Sequence, residues 1–190
     1  MVDRLMAWVL FTVILFTNAY SLIAPFVPIE LERKGIPGAY SGMVYAVFAV
    51  AQVIFSPLVG KTFDRVGHKN LLAGGIVLMG IGVFCFAFII DMERRVNVLA
   101  LAFICRFFQG ACAGLLVPGR MIIIVNDYPD QKLKLFGILE ATMGIGLITG
   151  PIIGSAFYDW FGFKGCFFIF GGFEIVVGIT MRIMLPERRK

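Results

Sequence analysis

Charge is scarce in this chain. Of its 190 residues, 15% are Asp, Glu, Lys or Arg, against about 25% in an ordinary soluble domain. Hydrophobic residues make up 59% of it, and Phe alone accounts for 20. A soluble core of this size cannot hide so much apolar surface, so the surrounding solvent is lipid. There the backbone must satisfy its own hydrogen bonds, which leaves helices or a closed barrel. Barrel-like alternation of apolar and polar residues is missing, and the apolar runs are long and unbroken, so helices are expected. Histidine is scarcer still, with His68 alone. The four cysteines, Cys85, Cys105, Cys112 and Cys166, lie in or at the end of apolar runs without metal-ligand spacing. They read as packing residues, and no metal or cofactor is expected. No Ser/His pair, His cluster or acidic metal arrangement supports an enzyme. N-x-S/T acceptors are absent. The first apolar run continues past signal-peptide length without a small-residue cleavage site, so no cleaved leader is expected. The net charge of +5 is not a nucleic-acid patch, because Lys and Arg sit in short loops and at the C-terminus, where membrane proteins place orienting charge.

Six membrane spans can be drawn, at about 5–27, 40–59, 71–90, 96–125, 135–157 and 163–185. Pro25 and Pro28 are expected to break the first near its end, ahead of a polar link with Glu30, Glu32, Arg33 and Lys34. Thr17, Asn18, Tyr20 and Ser21 form a polar patch within that span, either a packing face or a substrate contact. The fourth run exceeds the roughly twenty residues that cross the hydrocarbon. Pro118-Gly119 is expected to kink it, with Arg120 reaching the interface. The basic tail 186–190 ends the chain.

Between the second and third spans lies the charged stretch 60–69, read as a tight hairpin in which Gly60 and Gly67 supply backbone freedom. With an even number of spans, both termini share one side with this hairpin. That side carries eleven Lys and Arg residues, Arg120 among them, and the other carries five. The excess predicts cytoplasmic termini and a cytoplasmic hairpin.

The stretch Pro57-x-x-Gly60-x-x-Phe63-Asp64-x-x-Gly67-x-Lys69 recurs as Pro151-x-x-Gly154-x-x-Phe157-Tyr158-Asp159-x-x-Gly162-x-Lys164. The offset equals three spans, an odd number, so the copies face opposite sides of the membrane, as in inverted-repeat transporters. The expected fold is an all-α membrane protein: one bundle of six transmembrane helices built from two inverted three-helix repeats, about 1–95 and 96–190.

Three ionisable residues fall well inside spans: Arg106, Glu140 and Glu174. Such groups cost about 2.5–3.5 kcal/mol each on insertion scales, so they face a bundle interior or an aqueous cavity. Arg106 lies about 15 Å deep at 1.5 Å per residue, Glu174 similarly, and Glu140 about 9 Å. Arg106 reads as the one cation at depth available for pairing. A static salt bridge is one role for the set. The other is proton binding by an unpaired carboxylate, as a proton-coupled carrier requires.

The pattern Gly60-x-x-x-Asp64-Arg65-x-Gly67-x-Lys69-x-x-Leu72 resembles the signature between the second and third helices of the major facilitator superfamily of secondary transporters, with His68 where an arginine is usual. The resemblance implies a cytoplasmic gate latch, with Asp64 and Arg65 making its charge contacts and Asp127 a partner to test for Arg65. Arg106-x-x-Gln109-Gly110 resembles the fourth-helix motif, whose arginine is associated with proton coupling. Gly144-x-Gly146-x-x-x-Gly150-Pro151-x-x-Gly154 resembles the fifth-helix motif typical of antiporters. At finer grain, Ala24-Pro25-Phe26-Val27-Pro28 with Lys34-Gly35, and Leu139-Glu140, are similar to the vesicular amine transporter family, more to its polyamine branch. The first-helix aspartate of the monoamine members is replaced by Phe16 or its neighbours, none acidic.

The resemblance covers the chain as the first half of a twelve-helix carrier. It implies a proton-coupled, alternating-access transporter of a small organic solute such as a cationic amine, with the lipid bilayer, protons and a second six-helix half or a second copy as partners. Plasma membrane and intracellular vesicle both stay open. The other reading is a non-transporting six-helix protein that assembles with or regulates a full-length relative.

Overall fold

The computed structural model describes residues 4–185, and the basic tail 186–190 lies outside the described residues. Secondary structure among those residues is helical throughout: α1 (Arg4–Arg33), α2 (Ala39–Phe55), α3 (Val59–Phe86), α4 (Arg95–Asp127) and α5 (Lys132–Met184). Single 3-10 turns at Ser56–Leu58, Ala87–Asp91 and Pro129–Gln131 join them. Four helical stretches are long and apolar enough to cross a membrane: Arg4–Arg33, Ala39–Asp91, Arg95–Asp127 and Pro129–Met184.

The two longest stretches are each broken once. Gly67 (φ 75°, ψ 163°) interrupts α3, and Gly162 (φ 67°, ψ −179°) interrupts α5. Both fall in a backbone region that is essentially closed to side-chain-bearing residues. The charged stretch 60–69 is therefore no open loop. It is helical up to Val66 and again from His68, with the chain turning at one residue. Gly60, expected to share the turn, is helical, because a single glycine in this conformation suffices to end one helix and start the next.

Pro25 and Pro28 do not break α1, which runs on to Arg33. Proline keeps a helical φ and costs only the hydrogen bond to the carbonyl four residues back, together with a local clash. Pro28 leaves the Ala24 carbonyl without its helical donor, and Tyr45 Oη lies 3.2 Å from both Ala24 O and Ile23 O. Helix α1 instead ends at Gly35 (φ 67°). There Ile36 N–H donates to Leu31 O at 2.9 Å and Gly35 N–H to Glu32 O at 2.8 Å, the paired bonds of a Schellman ending. Pro118 likewise lies inside α4 without terminating it.

Packing is pairwise and leans on small residues. Helix α1 lies along the first part of α5, α2 along α4, and α3 against both α4 and the part of α5 beyond Gly162. On α5, Gly146, Gly150 and Gly154 meet Thr17, Ser21 and Leu22 of α1. On α4, Gly110 and Gly114 meet the α2 backbone at Phe48 and Gln52. Gly80 of α3 meets Gly171 of α5 so closely that a Cβ on Gly80 would sit 2.7 Å from the Gly171 carbonyl oxygen. Lipid tails are as apolar as these side chains, so helices associate here through such close van der Waals approach. The α1 polar patch divides. Ser21 Oγ reaches Gly146 O at 3.3 Å and Asn18 Oδ1 accepts from Thr149 at 2.8 Å, both across the α1–α5 contact. Tyr20 turns toward α2 and meets the Phe48 ring at a tilt, with centroids 4.9 Å apart.

Candidate functional site

Helix α4 carries three buried polar side chains, Arg106, Gln109 and Arg120. Arg106 and Gln109 stand one turn apart, and both are fully buried. Arg106 Nη1 donates to Gln109 Oε1 at 3.2 Å. Around the guanidinium stand rings from three other helices: Tyr20 at 5.8 Å, Tyr45 at 5.2 Å, Phe48 at 5.5 Å and Phe86 at 5.9 Å from ring centroid to Cζ. Ring faces attract a cation through their quadrupoles, and this is how the bundle holds a charge without a carboxylate beside it. Gly82 of α3 admits Gln109: a Cβ there would lie 2.8 Å from Gln109 Cγ. Arg106 Nε, Arg106 Nη2 and Gln109 Nε2 are buried with no hydrogen-bond partner.

A second buried cation lies further along the same helix. Arg120 is only 3% exposed, so it is a buried side chain of the bundle rather than one that extends into solvent. Its Nη2 donates to the Thr12 carbonyl of α1 at 2.9 Å, and its Cζ lies 5.0 Å from the Phe16 ring centroid. Arg106 is thus not the lone buried cation among the described residues. Removing Arg120 from the basic-residue count leaves ten against five, with the excess still on the same side. The missed signal was spacing. Fourteen residues separate the two arginines, close to four turns at 3.6 residues each, so they share a helix face.

Glu174 is 1% exposed, and neither carboxylate oxygen has a hydrogen-bond partner. It lies against Gly80, whose added Cβ would fall 2.8 Å from Glu174 Cβ. Helix α3 therefore admits Glu174 at Gly80 and Gln109 at Gly82, two residues apart and on different sides. Glu140 stands apart from both centres, on the exposed side of α5. The buried side of that helix, with Leu135, Leu139, Thr142 and Gly146, is used for packing. The structure does not bring Arg106, Glu140 and Glu174 into one cluster.

In the gate motif, Gly60, Asp64 and Arg65 are exposed, and Gly67 and Lys69 are half-buried. Among the described residues the ion pairs within 4.0 Å are Arg33–Glu30 at 3.5 Å and Lys164–Asp91 at 2.6 Å. Arg65 and Asp127 do not pair. In the fifth-helix motif, Gly146, Gly150 and Gly154 all face α1 and Pro151 continues the helix, whereas Gly144 faces open space.

Comparison with known proteins agrees with this architecture. The model of the Major Facilitator Superfamily matches residues 9–190. The Quinolone resistance protein NorA of Staphylococcus aureus is 30% identical over 181 residues, which cover 95% of this chain and 45% of that protein. The MFS-type transporter SLC18B1 of Mus musculus is 26% identical over 167 residues, covering 88% of this chain and 35% of that protein. The chain spans less than half the length of either relative. With a family match over nearly its whole length and four apolar helical stretches of membrane length, the chain is an integral membrane protein that belongs to the Major Facilitator Superfamily.

Proposed function

We propose that this chain forms one six-span half of a proton-coupled secondary carrier that moves a small organic solute by alternating access. The observation that carries the reading is a set of buried polar groups with unmet hydrogen bonds, Arg106, Gln109 and Glu174, within a bundle of membrane-length helices. Ionisable groups in such a setting mark substrate or proton pathways. Family membership and two relatives with transport or resistance in their names support it.

In this reading the breaks at Gly67 and Gly162 divide the two longest stretches into separate spans, six in all. The inverted repeat, about 1–95 and 96–190, is supported by the matching backbone at those glycines and by the packing scheme. Exchanging the first three spans for the last three turns the α2–α4 contact into the contact between the first part of α5 and α1, and leaves α3 against the end of α5. Both termini and the turn at Gly67 lie on the cytoplasmic side. Asp64, Arg65 and Lys69, with Gly60 and Gly67, form a gate latch, and their exposure suits contacts made outside this bundle. The packed glycines Gly146, Gly150 and Gly154, with Pro151, hold the α1–α5 seam in the manner of an antiporter. Glu140 and Glu174 are the carboxylates to serve a cationic amine or the coupled proton. The exposed face with Glu140 meets a second six-helix half or a second copy.

Uptake into proteoliposomes under an imposed proton gradient tests the reading. Arg106→Ala and Glu140→Gln are expected to abolish gradient-driven uptake while the protein stays folded. A second reading is favoured by the span of less than half of the relatives: a non-transporting assembly partner of a full-length carrier. No uptake at any pH, together with co-purification of a larger transporter, decides for it.

A further inference from the structure

We propose that the Arg106–Gln109 centre is a carboxylate-binding site. Three buried donors, Arg106 Nε, Arg106 Nη2 and Gln109 Nε2, have no hydrogen-bond acceptor, and Gln109 already spends its carbonyl oxygen on Arg106 Nη1. The four surrounding rings compensate the charge through their faces but offer no lone pairs in the guanidinium plane. The Tyr45 hydroxyl donates its hydrogen to the Ile23 and Ala24 carbonyls, so its oxygen is one neutral acceptor within reach of the guanidinium, too few for three donors.

No carboxylate of the described chain fills the role. Glu174 enters at Gly80, on a different side of α3 from Gln109 at Gly82, Glu140 is on the exposed side of α5, and no ion pair within 4.0 Å involves Arg106. A water molecule would supply lone pairs but no negative charge to reinforce what the ring faces provide. A carboxylate supplies both, and its two oxygens match two N–H groups of the planar guanidinium. The amide N–H of Gln109 adds a third donor. A cationic amine has nothing to offer this centre, so an amine, if carried, is held elsewhere.

The carboxylate comes either from a carried solute or from a side chain of the second half that completes the carrier. This rests on the carrier reading only for its physiological source, because binding is measured without transport. The chain is placed in lipid nanodiscs, monomeric and assembled fractions are separated, and unfolding midpoints are followed against acetate and methylammonium at constant ionic strength. Acetate is expected to raise the midpoint saturably, and methylammonium to leave it unchanged. A shift in both fractions assigns the site to a solute carboxylate; a shift in the monomer alone assigns it to a partner side chain. Arg106→Lys keeps the charge but loses the fork, and is expected to weaken acetate binding at least about tenfold. Gln109→Leu is expected to weaken it several-fold. An equal response to methylammonium, no response to acetate in either fraction, or an undiminished acetate response in Arg106→Lys overturns the assignment. Uptake lost with acetate binding retained would count against the carrier reading and leave the site standing.

Discussion

Gly67 and Gly162 stand 95 residues apart and hold nearly the same backbone conformation, each at the single non-helical residue of a long helical stretch. An added Cβ at either position meets no atom within 4 Å, so the need for glycine there is conformational rather than steric.

Gly67→Ala and Gly162→Ala are each expected to destabilise the protein by about 1–3 kcal/mol, the cost of holding a side-chain-bearing residue in that region. Gly137→Ala is the control, since it too faces open space but is helical with negative φ. It is expected to be neutral or mildly stabilising. Thermal unfolding in nanodiscs compares the three.

At Gly114 the reason for glycine is reversed. A Cβ there would lie 2.6 Å from the Gln52 carbonyl and 3.0 Å from Phe55 Cβ. Backbone cannot rotate away as a flexible side chain can, so Gly114→Ala is expected to cost about 1–3 kcal/mol through overpacking. Gly75→Ala meets the side chain of Leu116 rather than backbone and is expected to cost less. Equal losses at the two sites would contradict the close α2–α4 approach.

Arg120 and Glu174 invite a double-mutant cycle. Both are buried without an ion pair within 4.0 Å, and coupling between them through the low-dielectric interior is expected to make Arg120→Met and Glu174→Met each destabilising. The double variant is expected to be more stable than the sum of the two losses by about 0.5–3 kcal/mol. Strict additivity would mean that the two charges do not support one another.

Lys164 and Asp91 form the shortest ion pair among the described residues, at 2.6 Å, but their side chains are 41% and 49% exposed. Solvent screening leaves such a pair little weight, and Asp91→Asn is expected to change stability by about 0.2–1 kcal/mol. The change is expected to shrink further at high salt.

Much of this was legible in the residues. The helical membrane class followed from composition and unbroken apolar runs, because lipid leaves a backbone few ways to satisfy its hydrogen bonds. The family motifs could be read in place, and Gly67 could be named as a turn residue. The share assigned to Gly60 could not be refused, since nothing in a sequence says how few residues a turn needs. Pro25 and Pro28 misled for a related reason. The stranded Ala24 carbonyl is met by Tyr45, a residue 21 positions away on another helix.

The sequence by itself determined which groups are costly in lipid: Arg106, Glu140 and Glu174 had to be singled out wherever the helices lay. Only the tertiary structure decided who answers whom. Glu174 packs against Gly80, Arg106 is ringed by aromatic faces, and Glu140 is left on the exposed side. Burial cost depends on depth along one helix and can be counted in residues. Partnership depends on how each helix is rotated against its neighbours, and here glycines such as Gly80 and Gly82 set that by letting one side chain in and not another.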